Sequence, residues 1–111
     1  MTQNLSAQTL LIMIAPPNLE EVLVDFLLQQ KTIAGFTSSK VYGHGTRPGA
    51  GSAELSMVEQ VTGRQQRVQF MLHATLADLH ALILLLQTKF GATNLHFILQ
   101  PMLDIPEFSV R

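Results

Sequence analysis

The chain has 111 residues, a length typical of one domain with a substantial core, and 47% of its residues are hydrophobic against 14% charged. A formal net charge of −1 gives no electrostatic basis for binding nucleic acid or a membrane surface. The absence of cysteine excludes a disulfide scaffold and a thiolate nucleophile or ligand. No basic segment precedes the first apolar run, and no apolar stretch approaches the ~20 residues of a membrane span. We therefore expect a single cytoplasmic domain, residues 1–111, without membrane insertion.

A strand followed by a helix is predicted for the first third of the chain. Residues 8–15 carry apolar side chains at both parities, which indicates a strand, and two prolines end it. Asn18 precedes Glu21 by the three residues of a capping box. The spacing of the apolar residues after this cap predicts a helix over 19–30.

A second strand leads into a glycine-rich loop. Residues 35–44 are rich in the Thr, Val, Tyr and Phe that strands favour, and residues 45–53 contain three glycines and a proline. Loops mounted on a rigid scaffold are where binding residues concentrate. We therefore predict a mobile loop at about 43–56 that carries the contact with a ligand or partner.

The remaining sequence completes a mixed α+β pattern. An extended region over 57–74, with a turn or bulge at 62–63, precedes a helix over 76–90 that Thr75 caps and Gly91 ends. A last strand covers 94–100. The order β-α-β-β-α-β predicts a ferredoxin-like sandwich, an antiparallel sheet with two helices on one face and a core over about 8–100.

Apolar residues exceed what one layer of helices can cover. If the alternate residues of these strands pack under the helices, the open sheet face carries Leu11, Met13, Met71 and Ile98. The second helix also has five consecutive apolar residues at positions 82–86. Excess apolar surface of this kind marks an interface. We therefore expect a homo-oligomer.

One run of residues resembles a known family. The pattern Gly-Phe-Thr-x-x-x-Val-x-Gly-x-Gly at 35–45, within this element order, resembles the nitrogen-regulatory PII superfamily, where it leads into the effector-binding T-loop. The run Val-Glu-Gln-Val-Thr-Gly-Arg at 58–64, with Arg67-Val-Gln-Phe after it, is similar to a bacterial PII-like branch of unknown function. The resemblance covers about 8–100. It implies a homotrimer whose sheets face the threefold axis and whose loops project near the clefts between subunits.

The resemblance also implies a site. PII proteins bind adenine nucleotides in the clefts and relay the signal through the loop. Carried over to this chain, the ligand or partner contacts are Gly35, Phe36, Thr37, Gly43, His44 and Gly45, with Arg64 and Arg67 as charge partners. Lys40 and Arg47, together with the loop glycines, form a cradle for an anion or else only a turning segment. The family's Gly-Asp-Gly-Lys run and Arg-x-Arg pair are missing after the second helix, which argues against an adenine nucleotide.

The histidines leave a second hypothesis open. None of the four lies at a spacing that places two on one helical face for a metal. His44 is either a solvated loop residue or a ligand completed by another subunit, and His73 either a metal ligand or an interface residue. A divalent-metal-binding trimer resembling the cation-tolerance proteins is therefore the alternative function.

The leading hypothesis is a non-enzymatic regulatory or sensor protein. No Ser-His-Asp set and no carboxylate pair occurs in a recognisable acid-base context. Members of the branch that the chain resembles often accompany heavy-metal efflux systems, which implies a role in metal homeostasis. The cofactor is unknown, and the expected partners are further copies of the chain and a target protein.

Overall fold

The part of the chain that the structure describes folds into one four-stranded sheet with two helices. A computed structural model describes residues 8–45, 64–91 and 94–103. The elements in chain order are β1 (Thr9–Ala15), a 3-10 turn (Pro17–Leu19), α1 (Glu20–Leu28), β2 (Thr37–His44), β3 (Arg64–Ala74), α2 (Leu76–Phe90) and β4 (His96–Pro101). The strand order is β2-β3-β1-β4, and every neighbouring pair is antiparallel. This architecture confirms the predicted ferredoxin-like α+β fold.

The core lies between the two helices and one face of the sheet. On β1, Leu11 pairs with Leu72 of β3, and Met13 pairs with Phe70. These strand residues join one buried cluster with five helix leucines, Leu23, Leu27, Leu79, Leu82 and Leu86. Full burial of such a side chain stabilises the fold by about 1.5–3 kcal/mol, so this cluster is the main source of stability.

The open face of the sheet has a different composition from the predicted one. Leu11 and Met13 do not lie there, because both are fully buried under the helices. The strand alternation and register instead place six apolar residues on the face that no described helix covers, namely Leu10, Ile12, Ile14, Val41, Met71 and Ile98. Because β1 is apolar at both parities, its own sequence does not decide which side faces the helices. The alternation of β3, with Phe70 and Leu72 inward, decides it.

The two predicted helix caps have opposite outcomes. The Thr75 side-chain oxygen accepts a hydrogen bond from the backbone N–H of Asp78 at 3.1 Å, which confirms the cap of α2. The predicted cap at Asn18 is wrong, because Asn18 lies inside the 3-10 turn and Leu19 occupies the N-cap position without a side-chain bond. Proline fixes φ near the helical value, so Pro17 starts a turn before the chain reaches Asn18.

Gly91 ends α2, as predicted. Its φ of −67° and ψ of −17° are right-handed, so the backbone conformation itself does not demand glycine. A Cβ atom at this position would overlap the carbonyl oxygen of Gln87. The close approach of the backbone therefore explains the glycine.

The prediction that the chain does not insert into a membrane can be compared with the length and hydropathy of the helices. No helix in the described ranges combines the length and hydropathy needed to cross a bilayer.

Candidate functional site

The strands β2 and β3 extend past the helix-covered core as a two-stranded ribbon. Val68 is the last core residue of β3 at this end, with 1% exposure, and it pairs with Lys40. Further along, the side chains on the same face are no longer covered. Five exposed residues form this surface, which we call the ribbon face: Lys40, Tyr42, His44, Arg64 and Gln66.

The centre of the ribbon face is a stacked pair. The guanidinium carbon of Arg64 lies 4.1 Å from the centre of the Tyr42 ring. The contact is diagonal, because Tyr42 pairs with Gln66 and Arg64 pairs with His44. A cation over an aromatic face at an exposed site contributes about 0.5–1 kcal/mol. The stack therefore holds a positive charge over a ring that is itself 51% exposed.

Tyr42 is absent from the residues predicted from the sequence. A strand places alternate side chains on one face, so Lys40, Tyr42 and His44 share a surface whenever 35–44 is a strand. That alternation is the signal that identifies the tyrosine. Its contact with Arg64 depends on the pairing register across a long connection, which the sequence does not specify.

Arg67 lies on the opposite face of the ribbon from Arg64. It is half-buried, and its guanidinium donates to the backbone oxygen of Gln66 at 2.8 Å and to the side-chain oxygen of Gln65. Both acceptors belong to β3, so Arg67 is held along its own strand. The two arginines predicted as joint charge partners thus point to different surfaces.

The beginning of β2 is separate from the ribbon face. Phe36 packs beside the core, with its ring centre 6.2 Å from that of Phe70, and Thr37 lies on the open face opposite Met71. His44 lies seven positions after Thr37 along the strand, a distance of about 23 Å. The predicted residues therefore divide between two ends of one strand.

The glycines of the predicted site have no steric explanation among the described residues. An added Cβ would meet no described atom within 4 Å at Gly35 or Gly45, and would make an ordinary 3.8 Å contact with the Gln65 carbonyl at Gly43. Arg47 and the part of the predicted loop after Gly45 lie outside the described residues. The mobility of that loop therefore stays a prediction.

The histidines do not converge on one metal position. His44 is on the ribbon face, whereas His73 is on the open face, where its Nδ1 lies 2.8 Å from the side-chain oxygen of Gln8. His73 lies nine positions after Arg64, the partner of His44, along β3, which corresponds to about 30 Å. Over 8–45, 64–91 and 94–103, no three His, Asp or Glu residues are grouped closely enough to hold a metal ion. The metal hypothesis therefore requires ligands from another subunit or from the rest of the chain.

Comparisons with known proteins agree on the fold. The family model described as "Protein of unknown function (DUF3240)" matches residues 5–109. The crystal structure of a DUF3240 family protein from Shewanella baltica OS155 is similar with a TM-score of 0.71 and 17% identity, over 96% of this chain and 99% of that chain. No curated protein matches the chain.

Two further solved structures share this architecture. CutA from Synechococcus elongatus PCC7942, complexed with a Bis-Tris molecule, has a TM-score of 0.64 and 12% identity, over 88% of this chain and 82% of that chain. A Bacillus cereus protein related to NIF3 has a TM-score of 0.62 and 13% identity, over 92% of this chain but 27% of that chain. At such identities the likeness concerns the fold, and the similarity to CutA is consistent with a PII-like architecture.

Proposed function

Since the chain belongs to the DUF3240 family of proteins of unknown function, we propose that it is a non-enzymatic, cytoplasmic regulatory protein of the PII type. In this proposal the ribbon face and the connection between β2 and β3 contact a ligand or a target protein. The exposed stack of Arg64 on Tyr42 is the observation that carries it, because aromatic and arginine side chains are the types that dominate binding surfaces.

The length of the connection supports a binding role for this end of the sheet. His44 pairs directly with Arg64, so a two-residue turn would be enough to join β2 to β3. The chain uses residues 45–63 instead. Connections longer than about 12–15 residues are uncommon in compact domains, and many of them are binding loops.

We extend the proposal to a homotrimer assembled through the open face. Six apolar residues lie there, and the described part of the chain places no helix over them. One of these residues, Ile98, is 37% exposed. In the mechanism that we propose, a ligand in the cleft between subunits selects one conformation of the connection, and that conformation binds the target. We assign this regulation to metal homeostasis, the setting that the resemblance to the PII-like branch implies.

A shortened hairpin tests the proposal directly. In this variant an Asn-Gly turn replaces residues 45–63 and joins His44 to Arg64 without changing the strand register. Melting temperatures of this variant and of the natural chain would be compared with ATP, ADP, bicarbonate, Zn²⁺, Cu²⁺ and Ni²⁺. A ligand present at about 100 times its Kd stabilises the folded state by about 2.7 kcal/mol. We expect at least one compound to raise the melting temperature of the natural chain and not that of the variant.

The matched comparison separates folding from function. The variant keeps both faces of the sheet, so it should assemble with the same number of subunits as the natural chain. If a compound raised both melting temperatures equally, the ligand would bind elsewhere and not at the connection. No rise with any compound at millimolar concentration would remove the sensor mechanism.

A further inference from the structure

The charge on the ribbon face points to the chemistry of its partner. We infer that the ribbon face binds a short acidic segment of another protein. This inference rests on the proposed function, because it specifies the target that the ribbon would contact.

Positive charge is concentrated on β2 and β3. The two strands carry Lys40, Arg64 and Arg67 and contain no aspartate or glutamate, although the whole chain has a net charge of −1. The rest of the chain is therefore acidic on balance. Two of the three cations, Lys40 and Arg64, lie on the ribbon face, so this surface attracts carboxylates while the chain as a whole does not attract polyanions.

The shape of the ribbon face favours a protein segment over a small anion. Sites for small ligands are concave and bury most of the ligand. The ribbon face is instead a surface on which every side chain is exposed, from Lys40 at one end to His44 at the other. Four residues of strand span about 13 Å, the length of four or five residues of an extended partner. A segment of that length can place one carboxylate near Lys40 and another near Arg64.

The stack prepares Arg64 for this contact. The Tyr42 ring lies under the guanidinium carbon and holds the end of the Arg64 side chain at this position. A guanidinium is planar and carries five N–H donors, and pairs of these donors match the two oxygens of a carboxylate. Because the stack restricts the side chain, less conformational entropy is lost when the carboxylate binds. Tyr42 also offers apolar area next to the charge, which is typical of protein interfaces.

Fluorescence anisotropy with a defined probe tests the inference. The probe is a fluorescein-labelled peptide, Gly-Glu-Ser-Glu-Ser-Glu-Gly, and the reference peptide has Gln in place of each Glu. At about 50 mM salt, where charges are weakly screened, the Glu peptide should bind the full chain and the Gln peptide should bind at least about fivefold more weakly. Equal affinity for both peptides would overturn the inference.

Matched variants locate the binding surface. The double substitution K40Q and R64Q removes two cations from the ribbon face, and K31Q with K89Q removes two from elsewhere in the chain. We expect about a fivefold or greater loss of affinity in the first pair and less than about twofold in the second. Equal losses would place binding away from the ribbon face and contradict the inference. If circular dichroism shows that the K40Q and R64Q double variant does not fold, the Y42L variant replaces it. The comparison of the Glu and Gln peptides on the natural chain is unaffected.

Two competitors distinguish other partners. Tighter binding of a labelled single-stranded thymidine octamer than of the Glu peptide would overturn the inference in favour of nucleic acid. Displacement of the peptide by millimolar inorganic phosphate at constant ionic strength would overturn it in favour of a small-anion site. The shortened hairpin keeps the ribbon face. Peptide binding by that variant, without any response of the natural chain to the ligand panel, would refute the sensor mechanism and leave the acidic-segment inference standing.

Discussion

The two faces of the sheet are made by the same strands but have different surroundings. On the covered face, Leu11, Met13 and Phe70 have 0% exposure under the helices. On the open face, Ile12 and Met71 are neighbours across the strands and are only half-buried. An antiparallel sheet that meets water normally alternates apolar and polar residues. The absence of that alternation in β1 indicates that one face supports folding and the other is suited to association.

The largest effect is expected on the covered face. Phe70→Ala should lower the free energy of unfolding by about 3–5 kcal/mol, because it leaves a cavity beside Phe36 and the helix leucines. Urea denaturation at fixed protein concentration measures the change, and Phe70→Leu, which removes less volume, should cost less. A loss below about 1 kcal/mol for Phe70→Ala would contradict the assignment of this face to the core.

On the open face we expect a substitution to change association and not folding. Ile12→Asp places a carboxylate among apolar residues, which should weaken association by at least about 2 kcal/mol per subunit. Light scattering should then give a mass near the 12.3 kDa of one chain, with a helical circular dichroism spectrum preserved. Ile12→Val should keep the larger mass. A natural chain that is already monomeric at micromolar concentration would refute the proposed trimer.

The capping residues provide a smaller and more local test. Thr75→Ala removes the bond to the Asp78 N–H and should cost about 1 kcal/mol of stability. Asn18→Ala should cost less than about 0.5 kcal/mol, because Asn18 lies within the 3-10 turn and not at the N-cap. Thermal denaturation of the two variants side by side compares them. Equal costs would restore Asn18 as a cap.

The smallest effect on stability is expected at the ribbon face. Tyr42→Leu removes an exposed stack, so the free energy of unfolding should change by about 0.5 kcal/mol, the lower end of the contribution of such a contact. Chemical denaturation measures this change, with Phe70→Leu as the reference for a buried ring. A change above about 2 kcal/mol would show that the ribbon is part of the structural core and weaken its assignment as a binding surface.

The fold was more predictable than the site for physical reasons. The bounds of α2 follow from the sequence because one threonine caps it, its leucines repeat at helical spacing, and Gly91 ends it. The orientation of β1 does not follow, since its odd-numbered and even-numbered residues are both apolar. The alternation of the neighbouring strand β3 determines which face of β1 meets the helices. The N-cap of α1 does not follow either, because Pro17 begins a 3-10 turn that includes Asn18.

Site predictions depend on contacts between distant residues. The sequence indicates the region of Lys40 and His44, because their residue types stand out at the end of a strand. It does not indicate that Phe36 packs beside Phe70, nor that Arg64 lies over Tyr42. Those facts depend on register, and a shift of one residue would exchange the two faces.

The central position of β1 also has a kinetic consequence. Its partners β3 and β4 come much later in the chain, as the bond between Gln8 and His73, 65 residues apart, illustrates. Contacts of such long range slow the search for the native state, so refolding should take milliseconds to seconds and not microseconds. Until β3 and β4 arrive, β1 has two apolar faces and two unpaired edges. Refolding yield should therefore fall as protein concentration rises, with β1 as the segment through which misassembled chains meet.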